Sequence, residues 1–168
     1  MIERALATFA IGVVSIWLHE LGHARAARDL RDRLGARRWT FRPFVNLDPI
    51  FSLIVPLVSS LLTGGAFIVG MGRPFLLQRP NWKIIAAGPT VNLALFFMFA
   101  AFDQWHVASI NLGLFFVNML PIRPFDGWAI ISCYRMEKAR RKSLQNVVTT
   151  PEAQRNVLGF TIPPDGPK

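Results

Sequence analysis

His19-Glu20-Leu21-Gly22-His23 is the stretch of this chain whose residue types could do chemistry. On a helix, His19 and His23 lie one turn apart on a shared face, so both imidazoles can reach one metal ion. Glu20 lies beside that face, where a carboxylate can take a proton from water activated by the metal. On an ordinary surface helix the same pattern would be a cluster of solvated charges. Here it closes an apolar run, 5–18, that holds no charged residue. Ionisable groups at the border of such a run are costly to keep and mark function.

A second constellation lies far along the chain, at Asn118-Met119-Leu120-Pro121-Ile122-Arg123-Pro124-Phe125-Asp126-Gly127. Pro121 and Pro124 prevent a regular helix, and a broken segment can aim a side chain inward. Asp126 stands about 20 residues beyond the turn at 103–106, which brings it across an apolar layer to the depth of His19 and His23. A carboxylate there supplies a third ligand, and catalytic zinc takes three protein ligands with one position left for water. The plainer reading makes Asp126 a helix cap and Gly127 a turn residue.

The elements that must position these residues are apolar and long. The chain has 168 residues, 52% hydrophobic and 17% charged, which fits one domain. Uncharged runs cover 49–72, 84–102 and 104–122. Runs of about 20 residues read as membrane segments. The expected fold is an all-α polytopic membrane protein. Three spanning helices are placed at about 3–28, 83–102 and 104–134. The stretch 49–73 is a re-entrant or fourth apolar helix, opened by Asp48 as N-cap and Pro49 in the first turn. The alternation of Arg38-Trp39-Thr40-Phe41-Arg42 suits a short membrane-associated strand, and 66–69 a second extended piece. Residues 1–142 form the core, and 143–168 a mobile polar tail that ends rich in proline and glycine.

Charge sets the orientation. The net charge is +9, concentrated in 25–42 and 135–142, with seven arginines against two aspartates in the first cluster. Clusters flanking apolar segments follow the positive-inside rule and meet anionic lipid rather than nucleic acid. Asp103-Gln104-Trp105-His106 lacks Lys and Arg and belongs outside. The third and fourth segments then begin and end at the inner side, so 49–73 must leave on the side where it enters. The metal residues fall near the cytoplasmic face of a multi-pass cell-membrane protein.

Other features are less specific. Cys133 is the single cysteine, which excludes an intramolecular disulfide and a multi-cysteine metal site. The N-terminal run has signal-peptide character, but cleavage would sever the metal helix from its anchor, so it is read as retained. Gly22 and the Ala86-Ala87-Gly88 run suit close helix packing. Asn92 serves as interhelical hydrogen-bonding glue or as a site residue. No internal repeat supports a transporter.

In order along the chain, His19-Glu20-Leu21-Gly22-His23, Leu47-Asp48-Pro49-Ile50, Gly72-Arg73-Pro74, Ala87-Gly88-Pro89-Thr90-Val91-Asn92 and the set Asn118, Pro121, Asp126, Gly127 resemble the site-2 proteases. These are zinc metalloproteases that cut within the membrane, and the likeness is to a compact prokaryotic branch without a PDZ domain. It covers roughly residues 5–135. The resemblance implies that His19, His23 and Asp126 bind one zinc ion, that Glu20 is the general base and that Asn118 steadies the substrate or the oxyanion. The chain departs from the pattern at Asn46, where histidine is common, at Phe51, where glycine is usual, and at the bulky Arg123 and Trp128. The implied substrate is a transmembrane protein segment, unwound before attack. Trp39 and Phe41, or 66–69, would hold it by strand addition, with Asn92 as a further contact. The alternative is a zinc-binding membrane protein that regulates a partner without cutting it.

Overall fold

The structure is a computed structural model that describes residues 2–65, 70, 72, 77–79 and 81–149. The described residues form α1 (Ile2–Asp29), α2 (Arg33–Ala36), α3 (Pro43–Asn46), α4 (Val55–Leu62), α5 (Trp82–Ala101), α6 (Trp105–Asn118) and α7 (Asp126–Thr149). Wide π-type turns over Pro49–Ile54 lead into α4. The Asp48 carboxylate accepts from the Ile50 and Phe51 amides with Pro49 in the first turn, the cap that this residue pair predicts. The polar stretch expected as a tail from Ser143 begins inside α7. The rest of it, 150–168, lies outside the described residues.

Two expectations are corrected. No strand occurs among the described residues. At 38–42 the chain bends, because Arg38 and Asn46 hydrogen-bond across the loop and fold it back on itself; 66–69 lie outside the described residues. Of the three expected spans, only α1 and α5 are long and apolar enough to cross a membrane. The apolar run that begins at 104 yields α6, whose 14 residues reach about 21 Å against a hydrocarbon layer of about 30 Å. The chain then breaks at 119–125, where Pro121 and Pro124 remove two backbone donors, and restarts as the charged α7.

α5 is the central helix, packed on α1, α6 and α7. Close approach to α1 depends on Gly22: a Cβ there would lie 2.7 Å from Val91 Cγ2 and 2.9 Å from the Ala87 carbonyl oxygen. Ile16, Leu47, Ile110 and Leu114 form the apolar core beside it.

Contacts along α1 define two ends of the bundle. At its N-terminal end Thr8 meets the Gly65 carbonyl and His106, each at 3.0 Å, and Ser60 donates to the Ala5 carbonyl. At the other end His23 meets Ile84, Asp126 meets His19, and Gln78 donates its amide to Asp32. Thus α5 runs from the histidine end to the far end and α6 returns. The stretch after Asp48 also runs out, reaching Arg4 and Thr8 at Gly65, and comes back through Gly70 beside Ile16 to Gly72 against Glu20. Asp48 and Gly72 thus both lie at the histidine end.

Beside its apolar core the bundle buries several polar side chains, and it leaves many large apolar ones exposed. Thr8, Ser52, Ser60, Asn92 and Asn111 are fully buried, whereas Leu62, Phe97, Phe102 and Phe116 are exposed. A water-soluble fold has the reverse bias.

Candidate metal centre

His19 and His23 point from one face of α1, with ring planes at 85° to each other and Nε2 atoms 3.1 Å apart. Asp126, the first residue of α7, brings Oδ2 to 3.0 Å from His19 Nε2 and 3.3 Å from His23 Nε2. Residues 107 positions apart therefore form one cluster. The helix break makes this convergence: it ends α6 at Asn118 and starts α7 with its first carboxylate facing α1. Gly127 allows the chain to close there, since a Cβ would lie 2.2 Å from the Met119 carbonyl oxygen.

The outer ring nitrogens are fixed by acceptors. His23 Nδ1–H donates to the Ile84 carbonyl at 3.0 Å. His19 Nδ1–H donates to Asn92 Oδ1 at 2.5 Å. The amide orientation of Asn92 follows from its neighbours: its Nδ2 donates to Asn111 Oδ1, and Asn111 Nδ2 donates to the Val107 carbonyl. In their neutral forms both histidines are thereby held as Nδ1–H tautomers. Two imidazole lone pairs and one carboxylate oxygen then face a common point, an arrangement that suits a cation.

The donor set fits zinc. Ligand atoms about 2.0–2.2 Å from a tetrahedral ion lie about 3.3–3.5 Å apart, close to the three separations found here. Gly88 of α5 leaves the space: a Cβ there would lie 2.3 Å from His23 Nε2 and 2.7 Å from His19 Nε2. Glu20 is also near, its carboxylate within 4.8 Å of the histidine donors. Arg38 Nη2 faces its Oε2 at 3.4 Å, while Asp126 Oδ2 stands 3.0 and 3.3 Å from the two Nε2 atoms. A cavity of about 690 Å³ opens on the cluster and includes Glu20, Asn92, Asn118 and the apolar Ile16, Phe51 and Leu114 in its wall.

The expected site residues divide into two groups. His19, Glu20, His23, Asn92, Asn118 and Asp126 all line that cavity. Asn92 is both glue and a site residue, since one side chain serves His19 and Asn111 together. Asn118 donates one amide hydrogen to the Leu114 carbonyl and keeps a second. Trp39 and Phe41 are not among the cavity's described lining residues. Phe41 is 74% exposed and packs edge-on to Trp17, and Trp39 lies under Arg25. Asn111, Arg38 and the contact of Gly88 with the imidazoles escape sequence reasoning. Asn111 carried a usable signal, as an amide inside an apolar helix.

The chain joins a His-Glu-x-x-His helix to a distant aspartate in one cluster, a donor set of the kind zinc metalloproteases use. Comparisons agree. The chain is 33% identical over 150 residues to "Putative zinc metalloprotease YwhC" of Bacillus subtilis, covering 71% of this chain and 64% of that protein. It is 30% identical over 153 residues to "Putative zinc metalloprotease Rip2" of Mycobacterium tuberculosis, covering 77% and 57%. It is 31% identical over 148 residues to "Putative zinc metalloprotease MJ0611" of Methanocaldococcus jannaschii, covering 76% and 72%. The chain thus spans less than two thirds of the length of the first two relatives. No protein-family profile and no solved structure matches it. The chain belongs to the site-2 protease-like family of zinc metalloproteases.

Proposed function

We propose that this protein is an intramembrane zinc endopeptidase that hydrolyses a peptide bond within or near a transmembrane segment of a membrane protein. The observation that carries the reading is one cavity holding His19, His23, Asp126 and the uncoordinated Glu20 beside an apolar wall. A site that only held metal would have no use for a carboxylate in the same cavity. A partner-binding protein without turnover is therefore the weaker reading.

His19, His23 and Asp126 would hold the ion. Zinc in such a centre supplies Lewis acidity and makes water acidic enough to attack at neutral pH. Glu20 takes the proton of the attacking water and returns it to the leaving amine. The free amide hydrogen of Asn118 meets the oxyanion as charge develops on the scissile carbonyl. Ile16, Phe51 and Leu114 receive apolar side chains of the substrate and keep bulk water away. Because a helix has its backbone groups already paired, the substrate must unwind before its carbonyl is open to attack.

The reading places the protein in the cell membrane as a multi-pass protein. The histidine end and its arginines face the cytoplasm, and the +9 charge meets anionic lipid. The apolar exterior and buried amides support this, as do α1 and α5. The decisive test is cleavage, by wild type and Glu20→Gln, of a labelled Leu/Ala segment of about 20 residues with a central Asn-Gly-Pro break, co-reconstituted in liposomes. Cleavage by wild type alone, with zinc kept by both, is expected. Equal cleavage by the two would remove Glu20 from the chemistry.

A further inference from the structure

Glu20 is held unevenly. Its Oε2 faces Arg38 Nη2 at 3.4 Å. Its Oε1 has a different neighbour. That oxygen lies against Gly72, where an added Cβ would come within 2.1 Å of it. Gly72 and Glu20 both line the cavity. One carboxylate oxygen is therefore tied to a cation, and the other has room only because residue 72 lacks a side chain.

The Arg38 contact is not needed to close its own loop. Arg38 Nε donates to Asn46 Oδ1 at 3.1 Å, Arg38 Nη2 to the Asn46 carbonyl at 3.0 Å, and Asn46 Nδ2 to the Arg38 carbonyl at 3.2 Å. These bonds fix the loop and the guanidinium together, and Asn46 is fully buried. The guanidinium is thus presented to Glu20 on a preset brace. The side chains of Arg38 and Glu20 are only 14% and 7% exposed, so the contact works at low local dielectric, where orientation by charge is strong.

We propose that Arg38, braced by Asn46, is a positioning residue for the general base: it anchors Glu20 through Oε2, so that Oε1 alone exchanges the proton in the cavity and the carboxylate is kept off the metal. The proposal rests on the protease reading. It also explains how Glu20, which is within reach of both histidine donors, stays out of the ligand set.

The test has two parts. The first needs neither metal nor substrate. The infrared carboxylate band of Glu20 is isolated as wild type minus Glu20→Gln and compared with the same difference in an Arg38→Ala background. The band is expected to shift with Arg38→Ala and to stay in place with Arg79→Ala. An unmoved band in Arg38→Ala would overturn the proposal. The second part is turnover of the labelled Leu/Ala segment. Arg38→Ala is expected to lower kcat about 10- to 100-fold with KM within about twofold and zinc retained, and added guanidinium or Arg38→Lys to restore part of the loss. Should Arg38→Ala misfold, Arg38→Gln keeps the reach and a donor for Asn46 and carries the same expectation. Unchanged kcat, or zinc lost in proportion to activity in every Arg38 variant, would overturn the positioning role. No cleavage by wild type would instead count against the protease reading, and the infrared result would still stand or fall by itself.

Discussion

At the scale of single residues, the centre rests on bonds one step removed from the donors. Asn92 sets the tautomer of His19, and Asn111 sets the amide of Asn92. Loss of such outer partners costs metal affinity about 10- to 100-fold in comparable sites. Asn92→Ala is therefore expected to weaken zinc by that factor in a chelator competition, and Asn111→Leu by less, because the His19 bond survives. Gly88→Ala places a methyl on both Nε2 atoms. It should lose zinc and destabilise the fold by about 1–3 kcal/mol, read as a lower melting temperature in detergent. Full zinc binding by Gly88→Ala would mean that α5 packs less closely than described. The convergence of His19, His23 and Asp126 was legible in part: the two histidines share a face one helical turn apart, and Asp126 is placed by its distance from a turn that lacks Lys and Arg. Arg38 was not, since it is one of seven arginines in 25–42 and only tertiary contact singles it out.

The elements show which parts of a chain announce themselves. Pro121 and Pro124 forecast the interruption, because a missing donor and a ring clash act locally. The length of α6 was not legible: hydropathy continues to Ile122, but the helix stops at Asn118. The strand at 38–42 failed for a related reason. Alternating aromatic and polar residues suit a strand only if a partner edge exists, and here the Arg38–Asn46 bonds turn the loop inward instead. The break between α6 and α7 has a testable cost. Gly127→Val would press a side chain on the Met119 carbonyl and shift the start of α7. Reduced zinc content with α1 unchanged is expected. Wild-type zinc content would show that Asp126 reaches the histidines without that tight closure.

For the whole molecule, Asp48 and Gly72 lie at the same end of the bundle. The chain leaves the histidine end at Asp48, touches Thr8 at Gly65 and is back against Glu20 at Gly72. Buried amides and serines together with exposed Leu62, Phe97, Phe102 and Phe116 accord with the membrane reading proposed above. Single cysteines at Asp103 and Lys142, in a Cys133→Ser background, should label from opposite sides of right-side-out vesicles, with Lys142 reactive only after permeabilisation. Labelling of both from one side would contradict the orientation. The most direct test of the central claim is zinc stoichiometry in purified detergent-solubilised protein, for wild type, His23→Ala, Asp126→Ala and Glu20→Gln. About one zinc per chain is expected in wild type and Glu20→Gln, with loss in the other two. Zinc retained by Asp126→Ala, or absent from folded wild type, would contradict a centre shared by α1 and α7.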